Sequence, residues 1–223
     1  MYRLEISDEL QKIMLGRDRR KFPKGHILQS TEERFLFNFV LSGYVKRYLI
    51  RNDGSLGVQV IYGPNDLFPI TLAFSTLFDR PVSESKETYY YESMTPLTVY
   101  SLSKDKFKEV VQKDPQLYRG LLAISGKRLH STLHGLENLT LNNAYRRVAH
   151  ELLYMAQRFG EEQPGGGVKI AIPLTHQDLA DILSLTRETV SVNIARLRRK
   201  KILKSGRNIE IPDIKALEAE AFG

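Results

Sequence analysis

Residues 174–203, LTHQDLADILSLTRETVSVNIARLRRKKIL, decide how the rest of the chain is read. Thr175, followed three residues later by Asp178, is a capping pair. It predicts a helix whose Leu179, Ile182 and Leu183 point inward. Leu183-Ser184-Leu185 reads as a short turn, and Thr186 as a second cap. The helix from Arg187 places Val190, Ile194 and Leu197 on one stripe by the i, i+4, i+7 rule. At about 100° per residue, Glu188, Ser191, Val192, Ala195 and Arg199 take the opposite face. Ile202–Leu203, a Lys204–Arg207 turn and Ile209–Ile211 read as a small hairpin. Two short helices, a tight turn and a basic hairpin predict a winged helix-turn-helix.

A helix presented in this way enters the major groove, where each base pair shows a distinct edge pattern. Arg187 suits guanine, Glu188 accepts from the cytosine amine, and Ser191 serves either role. An exposed Val192 has no solubility rationale, but it matches a thymine methyl. Lys204 and Arg207 on the wing, with the Thr175 hydroxyl and the first helix's N-terminal amides, suit phosphates. The expected DNA-facing set is therefore Thr175, His176 and Gln177, then Thr186, Arg187, Glu188, Thr189, Ser191, Val192 and Arg199, then Lys204 and Arg207. The plainer reading of Arg196–Lys201 is a solvated helix C-terminus, where basic residues suit the macrodipole. That explains the Lys/Arg run but neither the Thr-Arg-Glu-Thr start nor Val192.

Charge supports the DNA reading. The 223 residues carry a net +7, and the window 187–207 alone holds eight basic residues against one acid. The remaining 202 residues are therefore neutral overall, so the basic character is local. With 42% apolar and 26% charged residues the chain is too apolar to be disordered. No run approaches about 18 uninterrupted apolar residues, which excludes a helical membrane span. The start, Met1-Tyr2-Arg3-Leu4-Glu5, has no apolar signal core, so the expected location is cytoplasmic. The absence of cysteine excludes disulfides, thiolate zinc sites, a cysteine nucleophile and a cysteine-held iron–sulfur cluster.

Upstream, the chain changes character near residue 105. Before it, Lys24-Gly25, Ser42-Gly43, Asn52-Asp53-Gly54 and Gly63-Pro64-Asn65-Asp66 separate short β-rich runs at 35–41, 44–50 and 56–62. Further strands are expected at 87–91 and 97–102, and a short helix at 71–78. Regularly spaced strands of this kind predict an antiparallel barrel or sandwich. After residue 105, Ser103 caps a helix through Phe107, Val110 and Val111, and a long helix begins at Pro115. Leu122, Leu129 and Leu136 recur at seven, with Ser125, Thr132 and Leu139 between them. This reads as a short coiled-coil seam and a homodimer, against the alternative of a helix packed on its own domain. Residues 142–159 form another amphipathic helix, with Val148, Leu152, Leu153 and Met155 buried, and 161–167 reads as a surface loop. The expected divisions are a β domain over 1–112, a dimerisation helix over 113–141 and a winged helix-turn-helix over 142–223.

Leu-Thr-His-Gln-Asp-Leu-Ala (174–180) and Leu-Thr-Arg-Glu-Thr-Val-Ser (185–191) resemble the DNA-binding signature of the cyclic-AMP receptor protein/FNR family of bacterial transcription regulators. Leu41-Ser42-Gly43-Tyr44-Val45-Lys46 and Gly63-Pro64-Asn65-Asp66-Leu67 resemble that family's β-roll turns. The resemblance implies an α+β chain with an N-terminal antiparallel β-roll of the cyclic-nucleotide-binding type, a long dimerisation helix and a C-terminal winged helix-turn-helix. It implies double-stranded DNA with an inverted repeat as partner, RNA polymerase as a further partner if the protein activates, and Arg187, Glu188 and Ser191 as base readers. Many members carry an arginine where this chain has Val192. Members that bind cyclic nucleotides hold the phosphate with a Gly-Glu pair and an Arg-Ser pair; here those places read Phe68-Pro69-Ile70 and Lys86-Glu87-Thr88. Proline donates no amide and Glu87 would repel phosphate, so cyclic AMP is not the expected effector. Lys86, Thr88 and Thr132 are the effector candidates. No cofactor is evident. His130 and His134, four apart, admit a metal or haem, although surface or seam residues are the plainer reading. A small-molecule module whose DNA binding has decayed is the alternative function. An enzyme is not expected, since no metal triad, phosphate-cradling loop or nucleophile elbow is present.

Overall fold

The computed structural model describes residues 19–28, 36–78, 88–141, 143–206 and 208–222. Lys86, Glu87 and Arg207, and with them part of the effector and wing expectations, lie outside the described residues. The chain divides into two compact units, one formed by residues up to Ile50 with Gln59–His130, the other by Arg51–Val58 with residues from Ser131 onward.

In the first unit, β1 (Arg19–Phe22), β8 (Leu97–Ser103), β3 (Leu36–Ser42) and β6 (Leu67–Phe68) make one sheet in the order β1-β8-β3-β6. The second sheet runs β2 (Ile27–Leu28), β7 (Tyr90–Ser93), β4 (Val45–Ile50) and β5 (Leu56–Tyr62). Together they are the expected antiparallel β-roll; β1, β2 and β6 were not legible because each is too short for a period-2 pattern. Strand β3 is buried on both faces. Phe37 and Phe39 join one core with Leu67, Leu102, Phe107 and Leu121, while Val40 joins a second with Val45, Tyr62, Phe68 and Tyr91. A register shift between Val40 and Ser42 accompanies this two-sided burial. Buried Asn38 is satisfied by Ser101, whose hydroxyl donates to Asn38 Oδ1 at 2.7 Å.

Helix α1 (Ile70–Phe78) follows β6, and α2 (Lys104–Lys113) starts at Ser103, whose side chain accepts from the Lys106 amide. The long helix α3 (Pro115–Thr140) buries Leu117, Leu121 and Ile124 in the first core. Its other face leaves Leu122, Leu129, Leu136 and Leu139 at 56–70% exposure, with Thr132, Leu133 and Tyr118 also exposed. No described helix is long and apolar enough to cross a membrane.

The second unit is built on α4 (Ala144–Phe159), capped by Asn143 and burying Val148, Leu152, Leu153 and Met155 as its periodicity predicts. Residues 161–167 are not simply a loop. Glu161 and Glu162 belong to β9 (Gly160–Glu162), which pairs with β10 (Val168–Ile170). Glycine makes this hairpin possible: a Cβ at Gly160 would sit 2.1 Å from the Ala156 carbonyl oxygen, and one at Gly167 2.6 Å from that of Ile211. Helices α5 (His176–Leu183) and α6 (Arg187–Arg199), strand β11 (Glu210–Ile211) and α7 (Ile214–Phe222) complete the unit.

Candidate nucleic-acid interface

Local chemistry sets both helix starts. Thr175 and Asp178 form a reciprocal capping box, in which the Thr175 oxygen accepts from the Asp178 amide and the Asp178 carboxylate from the Thr175 amide. Thr186 accepts from the Thr189 amide at 3.1 Å. Between them Ser184 adopts the left-handed conformation that ends α5, and the Leu185 amide returns to Ala180 O at 3.0 Å. Thr186→Ala should destabilise the second unit by about 1 kcal/mol, read by denaturant unfolding. Thr186→Asp should leave stability nearly unchanged, since aspartate caps as well as threonine.

Val190, Ile194 and Leu197 lie at 0–1% exposure beneath α6, so the opposite face is turned to solvent. That face carries Arg187, Glu188, Val192, Ala195 and Arg199, all exposed, with Thr189 and Ser191 at its border. Val192, at 64% exposure, is a large apolar side chain left in water. Ser191 is held in place: its hydroxyl donates to the Arg187 carbonyl at 2.8 Å, and His176 Nδ1 lies 2.8 Å from the same oxygen. The hydroxyl has one proton, so Nδ1 of His176 is the donor. Burial first, then the charges of Arg198 and Arg187, hold the His176 ring below the usual imidazole range, which keeps Nε2 an acceptor at neutral pH. The first turn of α5 is thereby fixed beside the reading face of α6. Gln177 is exposed and donates to Asp181 at 2.8 Å. The Thr175 hydroxyl donates to Asp178 at 2.6 Å.

The basic window is less uniform than its charge count implies. Arg196 stacks 4.1 Å over the Tyr145 ring, and Lys200 Nζ reaches both oxygens of Glu220 at 2.7 Å. Arg198 donates to Gly206 O at 2.7 Å. These three cations serve the unit's own packing. Arg187 and Arg199 stay on the open face, and Lys204 is half-exposed in a 3.2 Å pair with Glu210. A surface pair of that kind holds weakly enough for a phosphate to compete.

The wing differs from the expected hairpin in its pairing. β11 is laddered to β10, with Val168 opposite Ile211, and the Lys204 amide donates to Glu210 O at 2.9 Å. Residues 201–203 are used to end α6. The Ile202 amide bonds Leu197 O, the Lys201 amide bonds Arg198 O, and Lys201 takes φ 60°. This is a Schellman stop with lysine where glycine is usual, so its sequence signal was absent.

Thr88 is exposed ahead of β7, Thr132 is exposed on α3, and Lys86 is undescribed. Sequence reasoning missed a different group in the first unit, where Arg47 lies 3.8 Å over Tyr89 and Arg128 4.4 Å over Tyr62. Tyr62 also neighbours Phe68 and Tyr91. Alternation in Tyr89-Tyr90-Tyr91 was the available signal; the two arginines carried none.

Residues 146–220 match the Crp-like helix-turn-helix domain. Over 202 residues the chain is 28% identical to a CRP-like cAMP-activated global transcriptional regulator of Mycobacterium tuberculosis, covering 90% of this chain and 86% of that one. Among solved structures it resembles a CooA mutant from Carboxydothermus hydrogenoformans (TM-score 0.76, 20% identity, 99% and 97% covered). FixK2 from Bradyrhizobium japonicum is a second neighbour (TM-score 0.73, 22% identity, 93% and 98% covered).

Proposed function

We propose, from the premise that this chain is a DNA-binding transcription regulator of the CRP/FNR family, that two copies read an inverted-repeat site through α6. The observation that carries this is the exposed row Arg187, Glu188 and Val192, with Ser191 at its border, on a helix whose opposite apolar stripe is fully buried. Donor, acceptor, hydroxyl and methyl together form a set that distinguishes base pairs in the major groove. The heptad of exposed leucines on α3 supports the homodimer, which would set two reading helices about 34 Å apart on successive grooves. Arg199, Lys204 and the N-termini of α5 and α6 would hold phosphates, making affinity fall steeply with salt. RNA polymerase enters as a partner if the protein activates.

Binding to a site selected from random duplexes tests this. Glu188→Ala should cost about 1–3 kcal/mol on the selected site and relax preference at one base pair. Equal losses on selected and scrambled DNA would remove Glu188 from the base-reading set.

The Arg47–Tyr89 and Arg128–Tyr62 groups favour a second reading, a small-molecule module with lost DNA binding. It requires ligand binding with no salt-dependent retention on DNA. Cyclic AMP fits the first unit poorly in either reading, because Phe68 is buried in the core and Pro69 donates no amide.

A further inference from the structure

Two imidazoles and two carboxylates converge where α3 gives way to α4, within the second unit. His134 and Glu137 lie three apart on α3, and His150 lies on α4. Each offers one ligand atom, and these atoms all lie within 4.8 Å of one another. The His134 and His150 rings are parallel, with centroids 4.2 Å apart. His134 Nε2 lies 3.3 Å from Glu151 Oε2, which also accepts from Asn138 Nδ2 at 3.3 Å. His130 is exposed, in keeping with the plainer reading of a surface residue, while His134 is turned to α4.

Packing alone does not account for this group. His150 and Asn138 are each 4% exposed, yet His150 Nδ1 and Asn138 Oδ1 have no hydrogen-bond partner. Buried polar atoms in folded proteins are nearly always paired. A His134–Glu151 ion pair would neutralise Glu151 but leave the His150 nitrogen unused.

We infer that His134, Glu137 and His150 form a binding site for a divalent first-row transition cation, with Glu151 orienting His134. A carboxylate that accepts from one ring nitrogen of histidine and leaves the other for the metal is the usual outer-shell arrangement. Two nitrogens and a carboxylate oxygen, with no thiolate, suit zinc and its neighbours. The two carboxylates balance the charge of the cation. Around an ion with bonds of about 2.0–2.1 Å the donors lie roughly 3.3 Å apart, so binding requires the exposed Glu137 to swing in and one of the two parallel imidazoles to turn out of its stack until both in-plane lone pairs meet the ion. A bound cation ties α3 to α4 across residues 141–143. Since α4 is the helix on which α6 and α7 pack, occupancy would bias how firmly the reading helix is held. This last consequence rests on the DNA-binding reading; the metal site does not.

The test uses the full chain, stripped with chelator and titrated with zinc against a chromophoric competitor. One equivalent per chain is expected. Glu137→Gln and His150→Ala should each weaken binding by about 100-fold or more, since even outer-shell losses cost about 10–100-fold. Glu137 is exposed, so its variant keeps the unliganded melting temperature and guards against a folding artefact. Cobalt should give tetrahedral visible absorption in the wild type and lose it in both variants. No zinc bound, or zinc bound equally by wild type and Glu137→Gln, overturns the site. DNA retention with and without zinc is the separate arm. A zinc effect in wild type and none in Glu137→Gln supports the coupling, and an identical response in both removes it. Failure to bind any DNA would count against the DNA-binding reading and leave the zinc titration standing.

Discussion

With two copies paired through α3 as proposed, Leu129→Asp should leave a monomer in sedimentation and cut affinity for an inverted repeat by at least about 1000-fold. The reasoning is geometric. Leu129 is 60% exposed in the single chain, and Leu122 and Leu136 stand seven residues to either side, also exposed. Burial of that stripe between two copies removes apolar surface from water without touching the core that Leu117, Leu121 and Ile124 build on the opposite face. An aspartate there is solvated in the monomer, so the single chain stays folded, but in a seam it becomes a buried charge without a partner. One reading helix then engages one half-site, and specific affinities stand about 10³–10⁷ above non-specific ones. A variant that still sediments as a dimer would show that the leucine stripe is covered by something other than a second α3.

Leu197→Ala should lower the stability of the second unit by about 2–5 kcal/mol, seen as an earlier calorimetric transition. Leu197 has no exposed surface and forms, with Val190 and Ile194, the apolar inward stripe of α6. Truncation there removes buried methyl groups and leaves a cavity whose size decides where in that range the loss falls. Val192→Ala, on the same helix and five residues earlier, is the opposite case. At 64% exposure it should change stability by less than about 0.5 kcal/mol while weakening binding to the selected DNA site. A stability loss of under about 1 kcal/mol for Leu197→Ala would mean that the neighbouring helices close around the gap. Together the two variants separate what α6 does for the fold from what it does for DNA.

Much of this was legible because the relevant signals are local. The Thr175–Asp178 box, the Thr186 cap, the Ser103 cap and the start at Pro115 each depend on residues within one helical turn. The inward stripes of α4 and α6 followed from their 3.6-residue period. The end of α6 was not legible, since Lys201 occupies a left-handed position that glycine normally marks. Nor were β9 and β10, three residues each, too short to show alternation.

The sequence by itself determined the two helices, their turn, their caps and which face of α6 meets solvent. Each of these is a matter of spacing along one backbone. It also located the +7 charge in residues 187–207, but not what each cation does. Only the tertiary structure decided that Arg196 and Lys200 belong to Tyr145 and Glu220 while Arg187 and Arg199 stay on the open face. It alone brought His150 to His134, sixteen residues away, and His176 to Ser191, fifteen away. Such pairings depend on where two helices cross and in what rotation, and those are settled by the packing of the whole core rather than by any local pattern.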